Sequence, residues 1–166
     1  MSNVTYMAAL ATVYKAALTK HLGPTGKDKF DCFIEGGSLL PSFKDLGDGV
    51  IAARFVYTCV FSFESLPAAL IDPRILMAMT MCWLAENDTE RERQKLDTPD
   101  ITVDAYADDD STSLSDMDIK IVFSEPIAMR VTDDEKGDIT YRGKQWVIAP
   151  FIIHVAESGK VINRGS

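Results

Sequence analysis

The sequence predicts an α+β fold, a mostly antiparallel sheet with two main helices packed on it. One long alternating strand separates two helical segments, and a series of shorter strand candidates follows the second helix. Runs of strands and helices that do not alternate regularly are typical of this class. The length of 166 residues favours a single domain spanning 1–166.

The first predicted helix runs from about Asn3 to His21. The segment is rich in alanine, and Gly23-Pro24 follows as a left-handed cap and a residue that cannot continue a helix. The residues that recur at helical spacing are Met7, Leu10, Tyr14, Ala17, Leu18 and His21.

A short strand is predicted over Phe30 to Glu35, and Gly36-Gly37-Ser38 has the composition of a turn. The following stretch, 39–49, contains Pro41 and two glycines. We therefore expect irregular structure there.

The strongest strand pattern covers Val50 to Phe63. One face is apolar throughout and the other is mixed, which predicts a central strand covered on both sides. The apolar face comprises Ile51, Ala53, Phe55, Tyr57, Cys59, Phe61 and Phe63.

A second helix is predicted from Pro73 to about Asn87, because Asp72-Pro73 has the form of an N-cap followed by proline at the first helical position. This helix is apolar nearly all round. Such a helix is either buried on most faces, or buried on one face and used in assembly on another. Its methionines, among them Met77 and Met81, are typical core filler but also suit adaptable contact surfaces. The charged run 90–95 is interpreted as a solvated helix end or loop.

The second half of the chain predicts an antiparallel hairpin of Ile101 to Ala107 with Met117 to Phe123. Pro126 is expected to interrupt the second strand, with 127–131 continuing as a bent or edge strand. Polar turns are predicted at 108–115 and 133–138. Weaker strand candidates lie at 139–141 and 145–155.

Composition limits the kinds of partner. The net charge is −8 and the isoelectric point about 4.7, which argues against a surface built to neutralise phosphates. The three widely spaced cysteines, Cys32, Cys59 and Cys82, lie in apolar runs and are interpreted as small buried hydrophobes in a reducing compartment. No signal peptide and no apolar stretch long enough to span a bilayer is recognised, so we expect synthesis in the cytosol and no membrane association.

No catalytic, cofactor-binding or metal-binding residue is predicted. His21 is explained by the dipole at a helix C-terminus, and His154 lies in an apolar strand pattern. Two acidic clusters, one of Asp108, Asp109, Asp110 and Asp116 and one of Asp133, Asp134, Glu135 and Asp138, lack the ligand spacing of a calcium loop. Gly36-Gly37-Ser38 lacks the lysine of a phosphate loop. A small metal-dependent hydrolase built on the acidic clusters is the alternative from a different class. It predicts tight binding of divalent cations.

An ordered series of segments resembles the tail completion protein R family of temperate contractile-tailed phages and phage-tail-like bacteriocins. The segments are 33–38, 55–61, 83–87, 101–107, 118–121 and 124–126. The resemblance covers roughly 31–131. It implies a variable C-terminal extension at 132–166.

The resemblance implies a tail-terminator-like fold and a structural role in virus assembly. Such a protein caps the head-proximal end of the tail tube, stops its polymerisation and helps to join tail to head. The implied partners are further copies in a ring, expected to be a hexamer, the tube protein, the sheath protein and neck or head-completion proteins. DNA would pass through the lumen without specific binding. The implied location is the virion tail, after assembly in the host cytoplasm, and the alternative within the same class is a neck or head–tail joining protein.

Candidate interface residues complete the prediction. The acidic loops are expected to be exposed near axial contacts or the lumen, and the second helix to present a contact surface. The residues are Asp108, Asp109, Asp110, Asp133, Asp134, Glu135, Met77 and Met81.

Overall fold

A computed structural model of the chain describes residues 5–106, 114–133 and 135–149. The fold is α+β, with a mostly antiparallel sheet and two helices, as the sequence predicts. The sheet order is β1-β2-β4-β6-β5, and β3 also pairs with β4. The strands are β1 (Phe30–Asp45), β2 (Val50–Pro67), β3 (Asp100–Tyr106), β4 (Leu114–Thr132), β5 (Ile139–Tyr141) and β6 (Lys144–Ile148). The helices are α1 (Tyr6–Leu22) and α2 (Pro73–Asn87), with a short 3-10 helix at Gly26–Lys29.

The described residues form two compact units. Unit 1 contains 38–56 and the described part of the chain from Ser124 onward, and unit 2 contains 5–37 and 57–123 apart from the undescribed stretch 107–113. Unit 2 therefore holds both helices, β3 and one half each of β1, β2 and β4. Unit 1 holds the other halves with β5 and β6.

Local capping explains where both helices begin. The Thr5 side chain accepts a hydrogen bond from the Ala8 N–H at 3.1 Å, and the Asp72 carboxylate accepts one from the Arg74 N–H at 2.9 Å. Both bonds satisfy donors that have no partner inside the helix. Gly23 ends α1 with φ of 89°, and its N–H donates to the Thr19 carbonyl. Both predicted helices are confirmed.

The core of unit 2 lies between the helices and one face of the sheet. Alternate residues of β2 and β4 are fully or almost fully buried, as period-two patterning requires. They are Tyr57, Cys59, Phe61, Phe63, Met117, Ile119, Ile121 and Phe123. The Tyr14 ring of α1 lies 5.1 Å from the rings of both Phe61 and Phe63, in edge-to-face contacts that aromatic pairs favour.

One buried hydrogen bond joins the two helices inside this core. The Thr80 hydroxyl donates to the Leu76 carbonyl at 2.7 Å and accepts from the Tyr14 hydroxyl. Burial raises the pKa of the Tyr14 phenol well above its usual range. The phenol therefore stays protonated and keeps its donor role.

The predicted hairpin is confirmed, with β3 and β4 antiparallel and Ile101 opposite Ile119. Two other expectations are wrong. β1 runs unbroken from Phe30 to Asp45, through the predicted turn at 36–38 and the first part, 39–45, of the predicted irregular stretch. Residues 46–49 are irregular, as predicted. β1 lies at the edge of the sheet, where a proline such as Pro41 is tolerated because one side of the strand needs no partner.

Pro126 does not interrupt β4, which continues to Thr132. It lies between the stretch paired with β3, Leu114–Lys120, and the stretch paired with β6, Met129–Thr132. The missing N–H of proline therefore falls outside both of these ladders.

Unit 1 is built from strands and tight turns. Residues 142 and 143 connect β5 to β6, and Arg142 and Gly143 both have positive φ, at 53° and 71°. Two positive φ values are the geometry of the two-residue hairpin turn. The Arg54 guanidinium donates to the hydroxyl and the carbonyl of Ser124 at 2.9 and 3.0 Å, which ties β2 to β4.

Of the cysteines, Cys59 is buried, Cys32 is half-buried and Cys82 is exposed. The prediction that all three are buried is wrong for Cys82, because α2 turns that position away from the core. Among the described residues, neither helix has the length and hydropathy needed to cross a lipid bilayer.

Candidate functional site

Helix α2 buries only one stripe of its surface. Leu76, Thr80 and Leu84 are the buried positions, at the four-residue spacing of one helix face. Met77 is half-buried, whereas Met81 is 54% exposed and Cys82 lies beside it. The structure shows that α2 is buried along one face and not on most faces. Use of its exposed face in assembly stays a prediction.

A cleft of about 550 Å³ lies beside the C-terminal half of α2. Met81, Leu84 and Ala85 line one side, and Leu96 and Pro99 belong to the segment that follows the charged run. The exposed wall is largely apolar.

Arg91 holds the segment after α2 in place. Its guanidinium donates to the Asp88 carboxylate at 2.9 Å, to the Val122 carbonyl at 2.8 Å and to the Asp97 carbonyl at 2.6 Å. The Arg91 side chain is 12% exposed and the Asp88 side chain 2%. The charged run is therefore not simply solvated, and one of its residues fixes the shape of the cleft. The run alternates acidic and basic residues, and this pattern alone does not distinguish Arg91 from Arg93.

The outer strand β1 presents apolar side chains that sequence reasoning missed. In unit 2, Phe33 and Ile34 are 48% and 45% exposed. In unit 1, Leu39, Leu40 and Phe43 are more than half exposed. Isolated exposed apolar residues are ordinary, but a group of them within one unit makes that part of β1 a candidate contact surface, and this holds for each unit by itself. The available signal was the apolar pairs on both sides of Gly36-Gly37.

Unit 1 contains a separate cleft of about 430 Å³. Aromatic rings form one side: Phe43 and Tyr141 are stacked with centroids 5.6 Å apart, and Trp146 lies 5.9 Å from Tyr141. The Trp146 indole N–H donates to the Tyr141 carbonyl at 2.9 Å. Charged residues of both signs stand at the rim: Asp45, Asp48, Arg142 and Lys144.

Unit 2 carries an acidic hollow of about 210 Å³ on its sheet. It is lined by Glu64, Asp104, Asp116 and Asp118, and Asp116 accepts a hydrogen bond from the Ser65 N–H at 2.7 Å. Within the described ranges, no group of three or more His, Cys, Asp or Glu side chains is arranged to hold a metal ion.

The predicted acidic loops are only partly described. Asp108, Asp109, Asp110 and Asp134 lie outside the described residues, as does His154. Asp133 and Glu135 are exposed between β4 and β5. Whether these loops face a partner stays a prediction.

Among the described residues, the titratable groups with shifted pKa values do not lie together in any one cleft. Burial raises the pKa of the Cys32 thiol, which makes it a weaker nucleophile. The Arg74 guanidinium, bonded to the N-cap carboxylate, lowers the pKa of Asp72. These two groups and the buried phenol of Tyr14 lie in different parts of unit 2.

Comparison of the sequence with known proteins and protein families gives two matches. The sequence matches the family described as P2 phage tail completion protein R (GpR) over residues 7–150. A protein of Haemophilus phage HP1 (strain HP1c1), described as an uncharacterized 19.2 kDa protein in the rep-hol intergenic region, is 32% identical over 136 residues. That alignment covers 81% of this chain and 78% of the phage HP1 protein. No solved structure matches the chain.

Proposed function

Because the chain belongs to the P2 phage tail completion protein R family, we propose that it caps the head-proximal end of the tail tube, stops tube polymerisation and helps to join the tail to the head. The family is one of structural phage tail proteins, which gives the chain a role with other tail components in the virion. The family match over residues 7–150 carries the proposal. The exposed apolar surfaces of α2 and β1 support it, because a capping protein acts through contact surfaces.

The proposed assembly is a ring of identical subunits, six in number, joined head to tail. Heterologous contacts of this kind close into a ring when the rotation between subunits permits. One face of the ring covers the last ring of tube subunits and the other receives the neck proteins. Growth stops because the outward face does not present the tube subunit's own surface.

Contacts to other tail proteins are assigned to α2 and to the acidic loops. Met81 and the half-buried Met77 provide an adaptable apolar surface at the tube or sheath. Asp133 and Glu135, with the acidic residues at 108–110, are placed near axial contacts or the lumen. The net charge of −8 disfavours adhesion of DNA as it passes through the lumen.

The test is complementation of a phage that lacks this gene, with tails examined by electron microscopy. We expect overlong, headless tails without the protein and normal tails with it. Met81→Glu should reproduce the defect because it places a charge on the proposed contact surface, whereas Ala16→Glu, at an exposed position of α1, should complement normally. Tails of normal length that fail only to accept heads would favour the neck alternative. Absence of the protein from finished tails would refute the proposal.

A further inference from the structure

The sheet of unit 2 has two different free edges. Its strand order is β1, β2, β4, β3, and within the described residues β1 pairs only with β2 and β3 only with β4. We propose that the β1 edge of one copy pairs with the β3 edge of the next copy, so that the sheet continues from subunit to subunit. This inference rests on the proposed ring and specifies its junction.

The β1 half in unit 2 is open to pairing. An unpaired edge exposes a row of N–H and C=O groups, and proteins protect such edges with proline or lysine. Pro41 and Lys44 lie in the second half of β1, whereas Phe30 to Gly37 contains neither. The charged residues of this segment are Asp31 and Glu35, and Glu35 forms an ion pair with Lys120 of its own chain. Phe33 and Ile34 are about half exposed on this segment. The segment therefore has both the free backbone groups and the exposed apolar side chains that pairing with another strand requires.

Strand β3 offers a matching edge. Ile101 and Val103 are 37% and 44% exposed although they lie on a paired strand. Asp100 and Asp104 flank them. Two β3 edges paired about a two-fold axis at Thr102 would place Asp100 opposite Asp104 twice, and like charges directly opposite are destabilising. The acidic residues thus disfavour this symmetric β3–β3 register.

Direction and charge together restrict the register. Four strands with antiparallel neighbours leave β1 and β3 running in opposite directions, so a copy placed alongside pairs in the antiparallel sense. Pairing Ile34 with Val103 matches two apolar side chains and places Glu35 opposite Thr102. A shift by two residues that pairs Glu35 with Asp100 would oppose acid to acid. We assign the Ile34–Val103 register.

A single junction of this kind is weak. Strand β3 has seven residues, so the paired length is about 24 Å at roughly 3.4 Å per residue. A strip of that length and roughly 10 Å width buries far less than the ~800 Å² per partner of a standard stable interface. Isolated chains should therefore associate little, and the ring should form where the tube end holds several copies side by side.

Disulfide cross-linking tests the junction. The background protein carries Cys32→Ser and Cys82→Ser, which removes the half-buried and exposed thiols and keeps buried Cys59. Ile34→Cys and Val103→Cys are then introduced together and separately, both at exposed positions where the fold should be retained. The full-length protein is assembled into tails by complementation, and the purified tails are oxidised and run on non-reducing gels. Opposed Cα atoms of an antiparallel pair lie within the range that a disulfide spans.

We expect the double variant to give a ladder of covalent multimers that ends at the ring size. Each single variant should stay monomeric, and a mixture of the two singles should give dimers only. Ile34→Cys with Leu70→Cys, an exposed position outside both edges, is the matched control and should give no ladder. Dimers from Ile34→Cys alone would show β1–β1 pairing and overturn the proposal, and so would the absence of a ladder from tails that contain the protein.

A charge substitution gives a second readout that needs no cross-link. Val103→Lys should reduce the amount of protein in purified tails at least about tenfold, because an edge lysine opposes strand pairing. Leu70→Lys should not. Normal incorporation of Val103→Lys would refute the junction and leave the tail role intact, whereas a ladder from a protein that leaves tail length unaffected would refute the tail role and leave the junction intact.

Discussion

Replacing Arg91 by methionine should strongly destabilise the protein, although the residue lies in a run of charges that looks solvent-exposed. The guanidinium donates to one carboxylate and to two backbone carbonyls, and only 12% of the side chain is exposed. Methionine retains much of the apolar stem but donates nothing. The substitution therefore removes an ion pair from a carboxylate that is 2% exposed and one hydrogen bond from each of two carbonyls.

Comparison of Arg91 with Arg93, in the same charged run, gives the size of the expected loss of stability. Breaking a buried ion pair by removing one partner costs about 3–5 kcal/mol. Arg93 pairs with Glu90, but the two side chains are 77% and 43% exposed. Exposed pairs contribute about 0–1 kcal/mol. Arg91→Met should therefore lower the free energy of unfolding by at least about 2 kcal/mol more than Arg93→Met does. This difference is a large part of the roughly 5–15 kcal/mol that stabilises a typical domain.

Urea unfolding followed by tryptophan fluorescence measures both variants. We expect a lower midpoint for Arg91→Met at an unchanged m-value, and a midpoint near the parent's for Arg93→Met. Arg91→Lys is the sharper control, because lysine keeps the charge but lacks the planar fork that reaches three acceptors. Equal stability of Arg91→Met and Arg93→Met would show that the interior fork contributes nothing and would remove the argument for a fixed cleft beside α2.

Three further predictions concern the core and a close backbone approach. In urea unfolding, Thr80→Val should lower the free energy of unfolding by about 1 kcal/mol more than Tyr14→Phe does. The valine leaves the buried Tyr14 hydroxyl without its acceptor, whereas in Tyr14→Phe the Thr80 hydroxyl still donates to the Leu76 carbonyl. Equal losses would contradict the assignment of Tyr14 as donor. Since burial raises the folded-state pKa of Tyr14, the stabilisation is complete below the unfolded value of about 10 and falls as pH rises above it, and Tyr14→Phe should remove that component of alkaline unfolding. Gly49→Ala should lower the melting temperature, since a Cβ there would lie 2.8 Å from the Met129 carbonyl oxygen, whereas Gly36→Ala has open space and should be neutral or slightly stabilising.

The helices and buried strands were predictable because their causes are local. Asp72-Pro73 indicates where α2 begins. The alternation of apolar and polar residues along β2 identifies the face of the strand that is buried in the core. The error at β1 has the opposite cause. An edge strand exposed on both faces has no alternation to display, and Gly36-Gly37 and Pro41 are read as breakers unless the neighbouring strand is known. Arg91 could not be distinguished from Arg93 for the same reason, because its acceptors include Val122, far away in sequence.

Burial of α2 on one face was foreseen as one of two options, and the structure shows a single buried stripe. The use of its exposed face in assembly stays a prediction. The aromatic cleft of unit 1 was not foreseen. It depends on the positive φ of Arg142 and Gly143, which turn β6 back so that Trp146 lies near Tyr141. The sequence showed only weak strand candidates there, because three- and five-residue strands are too short to reveal a period.

The proposed junction also explains how capping could be confined to the end of a tail. Each copy carries a net charge of −8, and copies in free solution repel one another over a Debye length of about 8 Å at physiological ionic strength. A short strand pair cannot outweigh that repulsion and the loss of free motion, so premature rings are disfavoured. A tube end that binds several copies by a separate surface removes most of the entropic cost before the strands meet. Under this proposal, separate surfaces for the template and for the neighbouring copy make ring closure depend on a finished tube.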